Sequence, residues 1–163
     1  MCAALMKRVN EAFETRACVL PAGSSELAVS VHSSCRDDDF KLIITADELL
    51  TCVGHAAYAS MMAALGLHES DVPDAVVLRR TTGTGRWINF HTDKALRTVQ
   101  VPLAHDDACV GGRLVFALSD GSLQSPVRRP GVLLSHHGDV VHGVTQLLEG
   151  RRYGLFVLRA RTA

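Results

Sequence analysis

From residue 74 onward the chain alternates apolar and polar positions in short runs, "DAVVLRR", "RWINFH", "LRTVQVPL", "GRLVFAL", "GVLLSH", "VVHGVT" and "RYGLFVLRA", separated by Gly, Pro, Ser and Asp. A period of two is that of a strand, and short strands punctuated by turn residues predict an antiparallel sandwich or barrel rather than βαβ units. Upstream the period lengthens. "ADELLTCVGHAAYASMMAAL" carries apolar residues at helical intervals, Thr45 and Glu48 have capping-box spacing, and Gly66 suits a stop, so one helix is predicted over about 46–65. Met61 and Met62 then read as core packing, and His55 and His68 as surface or satisfied side chains. In the first 45 residues "MKRVNEAFETRACVL" reads as a short helix and "SELAVSVHS" as a strand. "SSCRDDDFK" reads as a turn whose Asp37, Asp38 and Asp39 face water. The expected architecture is α+β, mainly β, in a single domain over 1–163, with an N-terminal extension over 1–73 and a β-core over 74–160.

At 163 residues the chain is long enough to bury a core without disulfides or a structural metal. Its formal net charge of zero provides no bulk field for a polyanion, so no nucleic-acid partner is expected. Five cysteines, odd in number and without a CxxC pair, argue against a zinc knuckle and a complete disulfide framework, and favour a reducing compartment. "MCAALMKRVN" places its charges after a very short apolar stretch, the reverse of a secretory signal, and no run of 18 apolar residues follows. The expectation is a soluble, intracellular, most simply cytoplasmic protein with no membrane partner.

The candidate chemistry begins in "WINFHTDKALRTVQV", where His91 and Asp93 stand two apart. On a strand they share a face, inward if Ile88, Phe90 and Thr92 point the other way. One imidazole and one carboxylate make two thirds of the 2-His-1-carboxylate set that holds a non-heme iron with open positions. The C-terminal "HHGDVVHGVTQLLEGRRYGLFVL" offers the third ligand: His142 mid-strand, a loop "QLLEG" turning the chain, and Arg152 ten residues later on the next strand. With Val140, His142 and Val144 inward, and Arg152, Gly154 and Phe156 inward on the return, ligand and guanidinium share one cavity. A buried arginine needs an anion, and its planar fork suits a carboxylate. His105 and Asp107 form a second HxD but read as a turn. His136 and His137 precede His142 closely, and one of that pair is free to line the cavity, whereas Arg151 should face outward. "RRTTGTGRW" has no helix after it to cradle a phosphate. It reads as the loop entering the metal strand, where Arg86 and Trp87 are candidates to touch substrate.

Taken together, "FHTD", "TVQVPL", "GGRLVF", "PGVLL" and "VVHGVTQLLEGRRYGLFVL" resemble the iron(II)/2-oxoglutarate-dependent dioxygenases, in particular their prolyl 4-hydroxylase-like branch, over roughly residues 74–160. The resemblance implies a double-stranded β-helix, or jelly roll, buttressed by the helix near 46–65. It makes His91, Asp93 and His142 the Fe(II) ligands and Arg152 the partner of the far carboxylate of 2-oxoglutarate, with O2 as co-reactant and ascorbate as an optional reductant. It also implies hydroxylation of a protein or peptide side chain, proline first, with release of succinate and CO2. This chain departs from the branch where two tyrosines are common. Those places fall near Thr81, whose hydroxyl can donate to the cosubstrate, and Pro102, which cannot donate; Thr98 is a further hydroxyl partner. A nucleic-acid branch would carry another arginine where Leu158 stands, and Arg159 is on the opposite face. Two other readings stay open: a small-molecule 2-oxoglutarate oxygenase, and a non-catalytic jelly-roll module that holds a metal.

Overall fold

Leu5, Val9 and Ala12 fall at helical intervals and form the buried face of the first element, α1 (Cys2–Glu14). The computed structural model describes residues 1–32 and 36–161. Next comes α2 (Glu26–Val31), where alternation predicted a strand. Local capping overrides that pattern, since the Ser25 hydroxyl accepts from the Ala28 N–H and Glu26 sits in the first turn. The stretch read as a solvated turn is also corrected. Its first residues, 33–35, lie outside the described residues, and from Asp39 it is strand β1 (Asp39–Ile44), whose burial is nearly continuous.

The helix expected over 46–65 is two helices, α3 (Ala46–Val53) and α4 (His55–Leu65). The break is Gly54, at φ 80° and ψ 163°, a conformation outside the helical well that costs glycine little and other residues much. Both predicted ends hold: the Thr45 hydroxyl accepts from the Glu48 N–H at 3.1 Å, and Gly66 terminates α4 in the left-handed region. Met61 and Met62 are buried on α4, and His55 and His68 are exposed.

The remainder is β2 (Ala75–Thr82), β3 (Arg86–His91), β4 (Arg97–Pro102), a single 3-10 turn at Asp106–Ala108, β5 (Cys109–Gly111), β6 (Leu114–Ala117), β7 (Leu123–Gln124), β8 (Leu134–His137) and β9 (His142–Arg159). Every pairing is antiparallel. One sheet runs β1-β2-β9-β4-β8. The other is built on the first half of β9, with β3 on one side, β5 and β6 on the other, and β7 beyond β6.

The expected "QLLEG" turn is therefore absent. Leu147 is paired with Arg86 and Gly111, and Glu149 and Gly150 are paired with Val110 and Cys109. These ladder bonds keep the chain extended where a loop would have left the same backbone groups to solvent. Thus β9 passes from the smaller sheet into the larger without reversing, and β5 and β7, too short to stand out as alternating runs, complete the smaller sheet.

The larger sheet sorts its side chains by parity. Leu42, Val76, Leu78, Val99, Val101, Leu155 and Val157 face the helices and form the main core with Leu5, Leu49, Met62 and Leu65. Each such side chain contributes about 1.5–3 kcal/mol when fully buried. The opposite face carries Ile43, Ala75, Val77 and Leu158, joined by Phe156 and by Ala28 of α2, and so forms the apolar end of the space between the sheets.

The acidic run is embedded in this frame. Asp39 is buried and receives two hydrogen bonds from Arg79, at 2.6 and 2.8 Å, while Asp38 pairs with Arg86 at 3.0 Å. Burial pushes the Asp39 carboxyl up, but the Arg79 hydrogen bonds and neighbouring charges outweigh it and hold its pKa below the ordinary value. Of the three acids only Asp37, exposed and paired with Arg16, is at a solvated position. Cys2, Cys52 and Cys109 are free, Cys18 is disulfide-bonded, and Cys35 lies outside the described residues. No helix among the described residues is long and apolar enough to cross a membrane.

Candidate metal centre

β3 delivers His91 to the cavity through an irregularity. Its register runs Ile88 opposite Val144 and then His91 opposite His142, with a shift between them. The extra residue turns Ile88 and His91, three apart, to the same side, so Ile88 lines the cavity instead of facing out as simple alternation predicted. Phe90, half exposed, and Thr92 do point outward. Asp93 lies past the end of the strand. Its N–H donates to the Gly138 carbonyl at 2.8 Å, and the Gly138 N–H donates to the Leu96 carbonyl at 2.8 Å. Residue 138 has to be glycine here, because a Cβ would come within 1.8 Å of the Ala95 carbonyl oxygen.

The two histidines are prepared in the same way. His91 Nδ1 lies 2.8 Å from the Asn89 carbonyl oxygen and His142 Nδ1 lies 2.9 Å from that of Val140. A carbonyl only accepts, so in each ring Nδ1 carries the hydrogen and Nε2 presents a lone pair, the arrangement expected of a metal-ligating imidazole. The Nε2 atoms stand 3.8 and 3.7 Å from Asp93 Oδ1, and the three ligand atoms all fall within 4.8 Å of one another. A divalent ion that takes three ligands on one face at about 2.1 Å holds them ~3.0 Å apart, so the set has to draw in by roughly an ångström to bind one. Lone pairs facing a carboxylate with no hydrogen between them are a set for a cation. Two imidazoles and one carboxylate suit iron(II) with open positions.

Thr98 is buried, and its hydroxyl donates to Asp93 Oδ2 at 2.5 Å. It thus orients the carboxylate with Oδ1 turned to the histidines. Across the cavity Arg152 is buried, and its Nε has no hydrogen-bond partner. Burial, followed by the charges of Arg128 and Arg79, pushes its pKa down to about 9, so the guanidinium is still charged at neutral pH. Thr81 is its register partner on β2. The cavity encloses about 170 Å³ and is closed on its apolar side by Val77, Phe156 and Leu158.

Other candidates lie elsewhere. Arg86 is held by Asp38 and Asp39 rather than reaching into the cavity, and Trp87 is 57% exposed, its indole N–H donating to Asn89 Oδ1. His105 and Asp107 are exposed at the 3-10 turn, and Arg151 faces outward. Of the His136–His137 pair, His136 lines the cavity.

Sequence reasoning passed over Lys41, Arg79 and Gln100, which also line it. Arg79 and Gln100 were legible from alternation, since they share parity with Val77 and Thr98. Lys41 was hidden because β1 was read as part of a turn.

Neither a protein-family model nor a curated protein sequence matches the chain. Solved structures do. A prolyl hydroxylase from Trichoplax adhaerens, in complex with a hypoxia inducible factor oxygen degradation domain peptide fragment, aligns at TM-score 0.64 and 16% identity over 96% of this chain and 76% of that one. A Pseudomonas putida prolyl-4-hydroxylase aligns at 0.61 and 16% identity, over 99% and 86%. A 2OG-Fe(II) oxygenase family oxidoreductase from Burkholderia pseudomallei aligns at 0.59 and 14% identity, over 83% and 79%. Likeness at these identities is likeness of fold. This polypeptide is therefore folded as a 2OG-Fe(II) oxygenase, on the jelly roll it shares with prolyl hydroxylases.

Proposed function

We propose that the chain is an iron(II)- and 2-oxoglutarate-dependent dioxygenase that hydroxylates a side chain of a protein or peptide and releases succinate and CO2. One observation carries the reading. His91, Asp93 and His142 converge at the wall of a cavity that also holds a buried, unpartnered arginine, so a place for a cation and a place for an anion face the same small space.

In this reading His91, Asp93 and His142 hold the metal, which with its cosubstrate supplies the oxygen-activating redox chemistry. Arg152 receives the far carboxylate, a charge-assisted pairing that offsets the cost of burying its guanidinium. Thr81, opposite Arg152, adds a hydroxyl donor to the same carboxylate. Thr98 keeps Asp93 turned toward the histidines. Val77, Phe156 and Leu158 exclude water from the reacting end. The volume of about 170 Å³ is small beside the ~300–1,000 Å³ of common ligand pockets. A cosubstrate fills most of it, so the substrate enters by one protruding group, as a side chain of an exposed segment does. The peptide bound to the Trichoplax relative supports the same reading.

A second reading, oxidation of a small acid, is favoured by Lys41, which lines the cavity and donates to the Val31 carbonyl rather than to a carboxylate. The test is direct. Anaerobic protein with iron(II) and 2-oxoglutarate should develop a weak visible charge-transfer band, and admitting air should yield succinate. Absence of both, with metal bound, leaves the metal-holding module. Succinate that rises with acidic metabolites but not with peptides selects the small-acid reading.

A further inference from the structure

The larger sheet floors the cavity with transverse rows, one residue to a strand. The row beside the metal centre is Leu158, Thr98 and His136. The next runs Ile43, Val77, Phe156, Gln100 and Leu134. Gln100 is the only polar side chain in that row. It lines the cavity, is 2% exposed, and its Oε1 has no hydrogen-bond partner. A buried carboxamide without a partner destabilises a fold, and an apolar side chain would complete the row at no such cost, so this position serves a ligand better than it serves the core. The third row holds Arg79, Gly154 and Pro102, and the fourth Thr81 and Arg152. Gly154 raises nothing from β9 between Phe156 and Arg152, and a Cβ there would come within 2.9 Å of the Phe156 ring. Rows two residues apart are roughly 7 Å apart along a strand, so Gln100 lies one step in from Thr98 on the way to Arg152. An orphaned carboxamide and a guanidinium whose Nε is also orphaned thus share one small space.

We propose that Gln100 holds the cosubstrate together with Arg152, its carboxamide N–H donating to the far carboxylate that the guanidinium pairs with, an assignment that rests on the 2-oxoglutarate reading above and adds a residue to it. A carboxylate only accepts, and its two oxygens take about four hydrogen bonds, more than a bidentate guanidinium supplies. The two ends of a carboxamide have nearly the same shape. Rotation about the last torsion therefore puts Nε2 where Oε1 stands and turns the orphaned acceptor into a donor. The other polar side chains of the floor are already engaged: Arg79 by Asp39, Thr98 by Asp93, and Lys41 by the Val31 carbonyl. Being neutral, Gln100 reads the carboxylate without adding to the charge that Arg152 carries unpaired. It thereby favours a diacid over a chelating acid that has no far carboxylate.

The test compares two chelating acids and needs no turnover. Binding of 2-oxoglutarate, and of oxalate, which has no far carboxylate, is measured by anaerobic calorimetry on Mn(II)-loaded protein. Gln100→Met keeps the length of the side chain and removes both hydrogen-bonding atoms. It should weaken 2-oxoglutarate binding about 10-fold or more, the loss of a hydrogen bond to a charged group, and leave oxalate binding, Mn(II) affinity and far-ultraviolet circular dichroism unchanged. Gln100→Glu places a carboxylate beside the unpaired guanidinium. It should raise the melting temperature of the ligand-free protein and abolish the further rise that succinate produces. Equal 2-oxoglutarate affinity in Gln100→Met and the unsubstituted protein, or an equal loss of oxalate, overturns the assignment, as does a succinate-induced rise that persists in Gln100→Glu. Arg152→Leu separates the two levels: if it abolishes 2-oxoglutarate binding while the Gln100 variants are silent, only Gln100 falls. If the unsubstituted protein binds Mn(II) and oxalate but not 2-oxoglutarate, the cosubstrate reading falls and the assignment with it.

Discussion

The Thr98 hydroxyl donates to Asp93 Oδ2 at 2.5 Å, leaving Oδ1 to face Nε2 of His91 and of His142 at 3.8 and 3.7 Å. One hydrogen bond thus decides which carboxylate oxygen is left turned to the two histidines. Thr98→Val keeps the shape and removes the donor, and should weaken Mn(II) binding by roughly 10–100-fold, the usual range for losing an outer partner of a ligand. Thr98→Ser should restore it. A calorimetric titration that finds equal affinity in all three proteins removes the orienting role.

Arg152 makes diacid binding visible as stability. The buried guanidinium carries its charge without a partner, and a carboxylate relieves that cost, so 2-oxoglutarate or succinate should raise the melting temperature of Mn(II)-loaded protein. Arg152→Leu should abolish the shift and weaken 2-oxoglutarate binding by at least ~30-fold, from the ~2–5 kcal/mol of a truncated buried charge pair. The sign with pH follows from a folded pKa of about 9, well below the ordinary guanidinium value. Between these values the unfolded chain holds a proton that the folded, ligand-free protein has lost, so this group adds stability as pH rises through 9. The ligand-induced shift should accordingly be full at pH 7 and shrink above pH 9.

Asp39 and Arg79 tie β1 to β2 beside the cavity by a two-fold hydrogen-bonded pair. Asp39→Asn leaves a largely buried guanidinium without its carboxylate, and should cost about 3–5 kcal/mol, a fall of roughly 6–20 °C in melting temperature. The folded pKa of Asp39 lies below the ordinary 3.8, so its contribution is complete above that value and is lost as pH falls through the lower folded value. The wild-type advantage over Asp39→Asn should be flat from pH 5 to 7 and disappear in acid. An advantage that does not begin to fall as pH drops below 3.8 contradicts the pairing.

Gly138 positions Asp93 without touching the metal site. Gly138→Ala drives a Cβ into the Ala95 carbonyl and displaces the backbone that accepts from the Asp93 N–H. Metal affinity should fall together with stability, the latter by about 1–3 kcal/mol. Affinity unchanged in a folded Gly138→Ala protein shows that Asp93 is held by other means.

Much of this was legible in the chain itself. Period-two runs marked the longer strands, Thr45 and Gly66 marked the outer ends of the helical segment, and the parity of Arg152 and Phe156 put both into the cavity. These signals are local. Alternation and capping depend on neighbours in the chain, so they survive reading one residue at a time.

Tertiary structure decided what depends on partners distant in sequence. The chain could not show that residues 146–150 stay extended, because the bonds that keep them so come from β3 and β5. It could not show that Asp39 is buried, because its reason is Arg79 on the next strand, nor that Ile88 turns inward, because the irregularity lies in the pairing with β9. Nor could it distinguish His136 from His137. That choice is made by the register opposite Thr98, and register is a property of two strands together, since a shift of one residue exchanges the faces.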